Sequence, residues 1–280
     1  MKKFKETMKQ NFLKVLALSL VVTTALACSH DDGSTKRNGK TFILVHGAWQ
    51  ASFVWKNVKE QLEQQGHRVI AVELPAHGKD ISTVAQATLD NYVAKVKSAI
   101  NEEDDKIILV GHSLGGAVIT QAAAQLPNKI EKVVYIAGFV PLSGESVNSL
   151  SALDKESGIS LDILIPSQDF STVTFANPEI NIPKIFCHDA TAQQKTLLIK
   201  NLKAEPTAPM GTPLQYDIKV FEKIDKYYIY TKQDRAISYG FQQKMAQKAG
   251  ITKTFIIDAS HSPFVSKPKE VAAILESLTK

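Results

Sequence analysis

From Lys40 to the C-terminus, short unbroken apolar runs alternate with longer segments of helical periodicity. The runs TFILVHG (Thr41–Gly47), RVIAVEL (Arg68–Leu74), KIILVGH (Lys106–His112) and KVVYIAG (Lys132–Gly138) show no polar alternation. A strand of that kind is buried on both faces, as in a parallel sheet covered by helices. Between the runs lie WKNVKEQLEQQG (Trp55–Gly66), the amphipathic TLDNYVAKVKSAINEE (Thr88–Glu103) and SLGGAVITQAAAQLP, which stops at Pro127. The pattern predicts an α/β fold, with a mostly parallel sheet and helices on both faces.

The alternation fails between Phe139 and Asp225. That stretch is mixed in polarity and holds several prolines, with one plausible helix at TAQQKTLLIKNLKA (Thr191–Ala204). Order then returns as a strand KYYIYTK (Lys226–Lys232), a helix YGFQQKMAQKAG (Tyr239–Gly250), a strand KTFIIDA (Lys253–Ala259) and a closing helix KPKEVAAILESLTK. The interruption reads as a cap, residues 142–215 or so, inserted into one domain that covers residues 40–280.

The first residues follow another pattern. Residues 1–27 join a lysine-rich start to VLALSLVVTTALA (Val15–Ala27), about the length of a secretory leader core and short for a membrane span. Five lysines against Glu6 put +4 of the formal +5 charge there, so the body is close to neutral and gives no case for nucleic-acid binding. In ALAC, Ala25 and Ala27 suit ordinary leader cleavage, while Cys28 after small residues suits a bacterial lipoprotein signal. Lipid on Cys28 would anchor the protein to a membrane without spanning it. Residues 28–39 would be a polar tether, and the protein would be exported to the periplasm or outer membrane, or else secreted. The only other cysteine is Cys187, so the fold is expected to need no disulfide.

Chemistry concentrates at Gly111-His112-Ser113-Leu114-Gly115. The pattern G-x-S-x-G is weak alone, but here a strand precedes it and a helix follows, the context of a nucleophile elbow. In such sheets the partners follow in the order serine, acid, histidine. Only His188 and His261 come after Ser113. His188 lies in the irregular insertion; His261 follows a strand, where ligands gather in open α/β sheets. Asp234, just past KYYIYTK, is the acid of choice. Asp225 precedes that strand, and Asp258 reads as inside the next one. An acyl-transfer site also needs two N–H donors for an oxyanion. Leu114, after the serine, and Ala48, in the loop HGAW, are placed to supply them. Trp49, Phe53 and Phe139 are candidates for an apolar substrate pocket.

FILVHGAW, VELPAHGKD, ILVGHSLGG, YIAGFVPL, YIYTKQD and DASHSPFVSKPKEVAAIL together resemble the α/β-hydrolase superfamily. Within it they are similar to the group holding plant methylesterases, hydroxynitrile lyases and bacterial salicylate-esterase-like and pyrethroid-hydrolase-like relatives. FCHDAT (Phe186–Thr191) is similar to a short motif in that group's cap. The resemblance implies the α/β-hydrolase fold, Ser113 as nucleophile, Asp234 as acid, His261 as base, and Ala48 and Leu114 as oxyanion donors. It implies no metal and no cofactor. The lyases have Thr at the place of Gly47 and Lys at the place of Ser262, so the lyase activity is not expected.

The expected function is hydrolysis of a small carboxylic ester through an acyl-enzyme. Two alternatives stand beside it. One is a homologue that binds a ligand without turnover. The other is amide, lactone or C–C hydrolysis on the same triad.

Overall fold

A computed structural model describes residues 39–280. The expectations for a leader, a tether and a lipidated Cys28 lie outside those residues, except at Gly39. The apolar runs become strands β1 (Thr41–Val45), β2 (Arg68–Val72), β3 (Ile107–His112) and β4 (Ile130–Ile136). After the insertion come β8 (Lys226–Thr231) and β9 (Lys253–Ile257). They form one six-stranded sheet in the order β2-β1-β3-β4-β8-β9, with every pair parallel.

The helices α1 (Lys56–Gln64), α2 (Leu89–Asn101) and α3 (Leu114–Gln125) connect the first four strands. β1–α1–β2 steps one way along the sheet and β2–α2–β3 steps back past β1. Right-handed crossovers therefore send α1 to one face and α2 and α3 to the other. This reversal between β1 and β3 is a topological switch point, where the carboxyl ends of the two strands part and leave a crevice. α3 is buried along its whole length except Gln125, and its alanines and glycines let it press close to the sheet. The insertion follows β4, and α9 (Tyr239–Lys248) leads from β8 to β9 after it.

The insertion is more regular than its sequence suggests. It contains helices α4 (Val147–Ser151), α5 (Pro178–Phe186), α6 (Ala192–Lys200), α7 (Thr207–Gly211) and α8 (Ile218–Glu222). It also holds a three-stranded antiparallel sheet, β5 (Leu164–Pro166), β6 (Thr172–Phe175) and β7 (Glu205–Pro206). Of these the sequence pattern anticipates only α6. The strands have two to four residues, too short to display a period, and α5 contains Pro183. Two further helices, α10 (Pro263–Ser266) and α11 (Pro268–Ser277), close the chain, and α11 packs on α1.

Candidate active site

Register brings the candidate loops together. Val45 pairs with Gly111, so the residues two steps beyond, Gly47 and Ser113, are neighbours above the crevice. Ser113 has φ 51° and ψ −122°, a region non-glycine residues rarely occupy, at a cost of roughly 1–3 kcal/mol. The surroundings enforce it. The Ser113 carbonyl accepts N–H bonds from Gly116 (2.9 Å) and Phe139 (3.0 Å). A Cβ on Gly115 would lie 2.5 Å from the His46 carbonyl oxygen, and one on Gly111 would lie 2.7 Å from that of Gly115. Only glycine at those places lets the turn, the strand and the loop after β1 close on one another.

Asp234 and His261 meet across the β8–β9 end of the sheet. Their strands pair up to Thr231 and Ile257, and each residue sits in the loop just beyond. His261 Nδ1 lies 2.7 Å from Asp234 Oδ2, and both side chains are fully buried. An ionised carboxylate only accepts, so Nδ1 carries the proton and Nε2 presents a lone pair. That Nε2 is buried and has no hydrogen-bond partner among the described residues. Asp234 is saturated: its Oδ2 also accepts from Thr231 Oγ1 (2.8 Å) and Gln242 Nε2 (3.0 Å), and its Oδ1 from the N–H groups of Ala236 (2.7 Å) and Ile237 (2.9 Å).

The competing residues are occupied elsewhere. His188 Nε2 contacts the Gln233 carbonyl. Asp225, at the opposite end of β8, accepts from Lys253 and Tyr227. Asp258 requires a correction: it lies just past β9, not inside it, and is exposed, accepting from Gln233. His112 is buried with Nε2 donating to the His261 carbonyl (3.0 Å). Burial, and then the neighbouring His261, hold its pKa well below the ordinary value, so it is neutral packing beneath the His261 loop. His46 is equally buried. Its Nε2 accepts the Leu74 N–H (3.2 Å) and its Nδ1 donates to the Gly47 carbonyl (2.9 Å). Burial, and then His77, pull its pKa down to about 3. Glu73 stands 3.9 Å away, but a neutral imidazole makes no ion pair with it.

A cavity of about 110 Å³ contains Ser113, Ala48, Leu114, Trp49 and Phe139 together. Val147, Ile159, Leu164, Val173, Met210, Ala236 and Ile237 complete its apolar wall, with Asn148 and Ser151 as polar points and no ionisable side chain. Leu114 is the first residue of α3, so its N–H has no partner inside the helix. Phe53 stands apart: it lines an adjoining cavity with Ala48, Trp49, Phe186 and Leu202. A larger concavity of about 920 Å³ runs along β2 between lysines and glutamates, but it is an open surface groove that contains none of Ser113, Asp234 and His261.

Support from the cap was only half visible in the sequence. Asp189 accepts from the Ser260 N–H (3.1 Å), from Ser260 Oγ and from Ser266 Oγ (2.9 Å), and the Phe186 carbonyl accepts the Ser262 N–H (3.0 Å). These bonds grip the loop on both sides of His261. FCHDAT was the available signal for them. Thr231 and Gln242, which hold Asp234, gave none, because a threonine ending a strand and a glutamine on a helix are unremarkable.

The model of the alpha/beta hydrolase family matches residues 42–274. Methylesterase 7 of Arabidopsis thaliana is 30% identical over 252 residues, covering 86% of this chain and 96% of its own. Salicylic acid-binding protein 2 of Nicotiana tabacum is 27% identical, covering 85% and 96%. Among solved structures, an extracellular alpha/beta-hydrolase from a Paenibacillus species, described as sharing structural and functional homology with that tobacco protein, superposes with a TM-score of 0.73. It is 28% identical and covers 85% of this chain and 98% of its own.

Proposed function

The chain belongs to the alpha/beta hydrolase family, and from that premise we propose that this carboxylic ester hydrolase cleaves small neutral esters through an acyl-enzyme on Ser113. One observation carries the reading. A strained serine shares a small apolar cavity with two candidate oxyanion donors, and a buried histidine, its tautomer set by Asp234, keeps an unpartnered Nε2 at the same end of the sheet.

In the proposed cycle His261 Nε2 takes the Ser113 proton as Oγ attacks the ester carbonyl carbon. The oxygen that gains charge is held by the N–H groups of Ala48 and Leu114, and the N-terminus of α3 adds its positive end. The C–O bond to the alcohol then breaks, and the alcohol leaves with the proton from His261. Water attacks the acyl group, giving its proton to His261 and regenerating Ser113 with release of the acid. Asp234 stays ionised throughout and stabilises the imidazolium that forms. The serine–histidine hydrogen bond is not made at rest and would tighten in the substrate complex, as such bonds often do.

Cavity size and lining limit the substrate. About 110 Å³ is less than the roughly 150 Å³ of an apolar cavity that admits benzene, so this partly open space has room for a short acyl group while an aryl alcohol would lie outside it. With no charged side chain in the wall, a charged acyl group would be stranded without a partner. Short neutral acyl esters fit best. The assay is p-nitrophenyl acetate hydrolysis by the protein and by Ser113→Ala, with fluorophosphonate labelling read by mass spectrometry. Turnover and a label on Ser113, both lost in the variant, are expected; turnover that survives the substitution would sink the assignment. Labelling without turnover of any ester would instead favour ligand binding.

For location, the proposal is export and anchoring by lipid on Cys28. The mass of the mature N-terminus tests it. An acylated cysteine at the start supports the anchor, and a chain that lacks it overturns it.

A further inference from the structure

Glu205 is fully buried on the short cap strand β7, yet no step above uses it. Its Oε2 accepts the backbone N–H of Trp49 at 2.7 Å and lies 2.8 Å from His77 Nε2. Its Oε1 has no hydrogen-bond partner among the described residues. A buried carboxylate with one oxygen unsatisfied is costly, and a buried ion pair is weak evidence of stabilisation. A group retained in that state calls for a reason beyond packing.

The reason is at its other end. Trp49 has φ 58°, a left-handed backbone that a bulky residue adopts only when held. It directly follows Ala48, and Trp49 N–H belongs to the peptide formed by the Ala48 carbonyl. Two cap groups do the holding: Glu205 on the N–H, and the Val173 carbonyl, which accepts Trp49 Nε1–H at 2.9 Å. Val173 and Glu205 are register partners across β6 and β7, so both holds come from one spot of the cap sheet. His77 neutralises the carboxylate that would otherwise oppose a nearby oxyanion. Burial, the largest single influence, would lower the His77 pKa, but Glu205, helped by the Pro75 carbonyl and Glu73, carries the net shift upward.

We infer that Glu205 is a positioning residue which, by accepting the Trp49 N–H, locks the Gly47-Ala48-Trp49 loop with the Ala48 N–H aimed at the acyl oxygen, so that the oxyanion site is complete only when the cap is seated. This rests on the reading of Ala48 as an oxyanion donor. Lifting the cap breaks both holds at once and frees the Trp49 backbone to relax.

The test measures kcat and KM for p-nitrophenyl acetate, and inhibition by a trifluoromethyl ketone, which forms a tetrahedral oxyanion on the serine. Variants of the full chain are Glu205→Gln, which keeps an acceptor oxygen, Glu205→Ala, and a double variant His77→Leu with Glu205→Met, which removes both charges together and guards against misfolding of the alanine variant. Deleting an oxyanion donor outright costs about 10²–10³ in kcat, and a donor left in place but loosened should cost about 10- to 100-fold. That loss is expected in the two variants without an acceptor. KM should stay within about twofold, the ketone should weaken in parallel with kcat, and Glu205→Gln should recover most of both. Folded variants that retain wild-type kcat and ketone affinity would overturn the inference. So would a glutamine variant as impaired as the others, or a loss of thermal stability with kcat unchanged. Ser113→Ala separates the two levels: if it stays active, the site reading itself fails; if it is inert while every Glu205 variant is normal, only the positioning role fails.

Discussion

Replacing Asp234 by Asn changes no volume but inverts half of a hydrogen-bond shell. Five donors face the carboxylate: two backbone N–H groups on Oδ1, and Thr231, Gln242 and His261 on Oδ2. The backbone donors cannot turn, so the amide oxygen must face them and the NH₂ group must face the other three. Gln242 is itself tied through Nε2 to the Ile237 carbonyl and through Oε1 to the Thr231 N–H, so its amide resists flipping. The imidazole yields most easily, by moving its proton from Nδ1 to Nε2. Nε2 then donates and cannot take the serine proton. The same substitution in the chymotrypsin-type triad lowers kcat about 10⁴-fold, or about 5.5 kcal/mol of barrier. That loss is expected here in pre-steady-state p-nitrophenol release at neutral pH. Losing one charge-assisted bond should cost about 2 kcal/mol of unfolding free energy, which leaves the variant folded. A folded Asp234→Asn protein with kcat within tenfold of wild type would refute the tautomer argument.

Three other substitutions or conditions probe the same architecture. Gly115→Ala drives a Cβ to 2.5 Å from the His46 carbonyl oxygen and 2.7 Å from that of Val45, backbone atoms that cannot move aside; a loss of about 3 kcal/mol is expected in denaturant unfolding, and less than about 1 would contradict the packing. Ser113→Gly should be inactive yet more stable by about 1 kcal/mol, because glycine accepts φ 51° freely and part of the gain is returned as chain entropy; a destabilised variant would argue against strain at the elbow. Acid should weaken the fold through His46. Its folded pKa of about 3 lies below the ordinary 6.5, so its contribution is full above pH 6.5 and is lost as pH falls toward 3. His112 acts in the same direction, whereas His77, whose pKa is raised, opposes them, its contribution being full below pH 6.5 and lost as pH rises. Urea unfolding from pH 7 down to pH 4 should show falling stability, flattened in His46→Gln, and a flat wild-type profile would count against neutral buried histidines.

Ser113 was legible because its signal is local and redundant: an apolar strand, a glycine pair and a buried helix lie in one continuous stretch. His261 and Asp234 were legible through order and position at strand ends. Asp258 shows the limit of that logic, since a strand end placed two residues late led to the wrong reason for setting it aside. Phe53 shows another, because nearness in sequence to HGAW said nothing about which side of Trp49 it would face.

The sequence by itself determined the alternating layers, the strands that end at the site and the residue types that can do acyl transfer. Each of these depends on periodicity or on spacing within a single element, which a linear pattern records. Only the tertiary structure decided what the cap is built from and what it holds. Its strands are too short to have a period, and their meaning lies in contacts more than a hundred residues apart, as between Glu205 and Trp49 or Val173 and Trp49. Asp189, which holds the His261 loop from 71 residues away, is a shorter-range case of the same kind. Such contacts exist only once the chain has closed, because a hydrogen bond reads distance in space and leaves no trace of its partner in the order of residues.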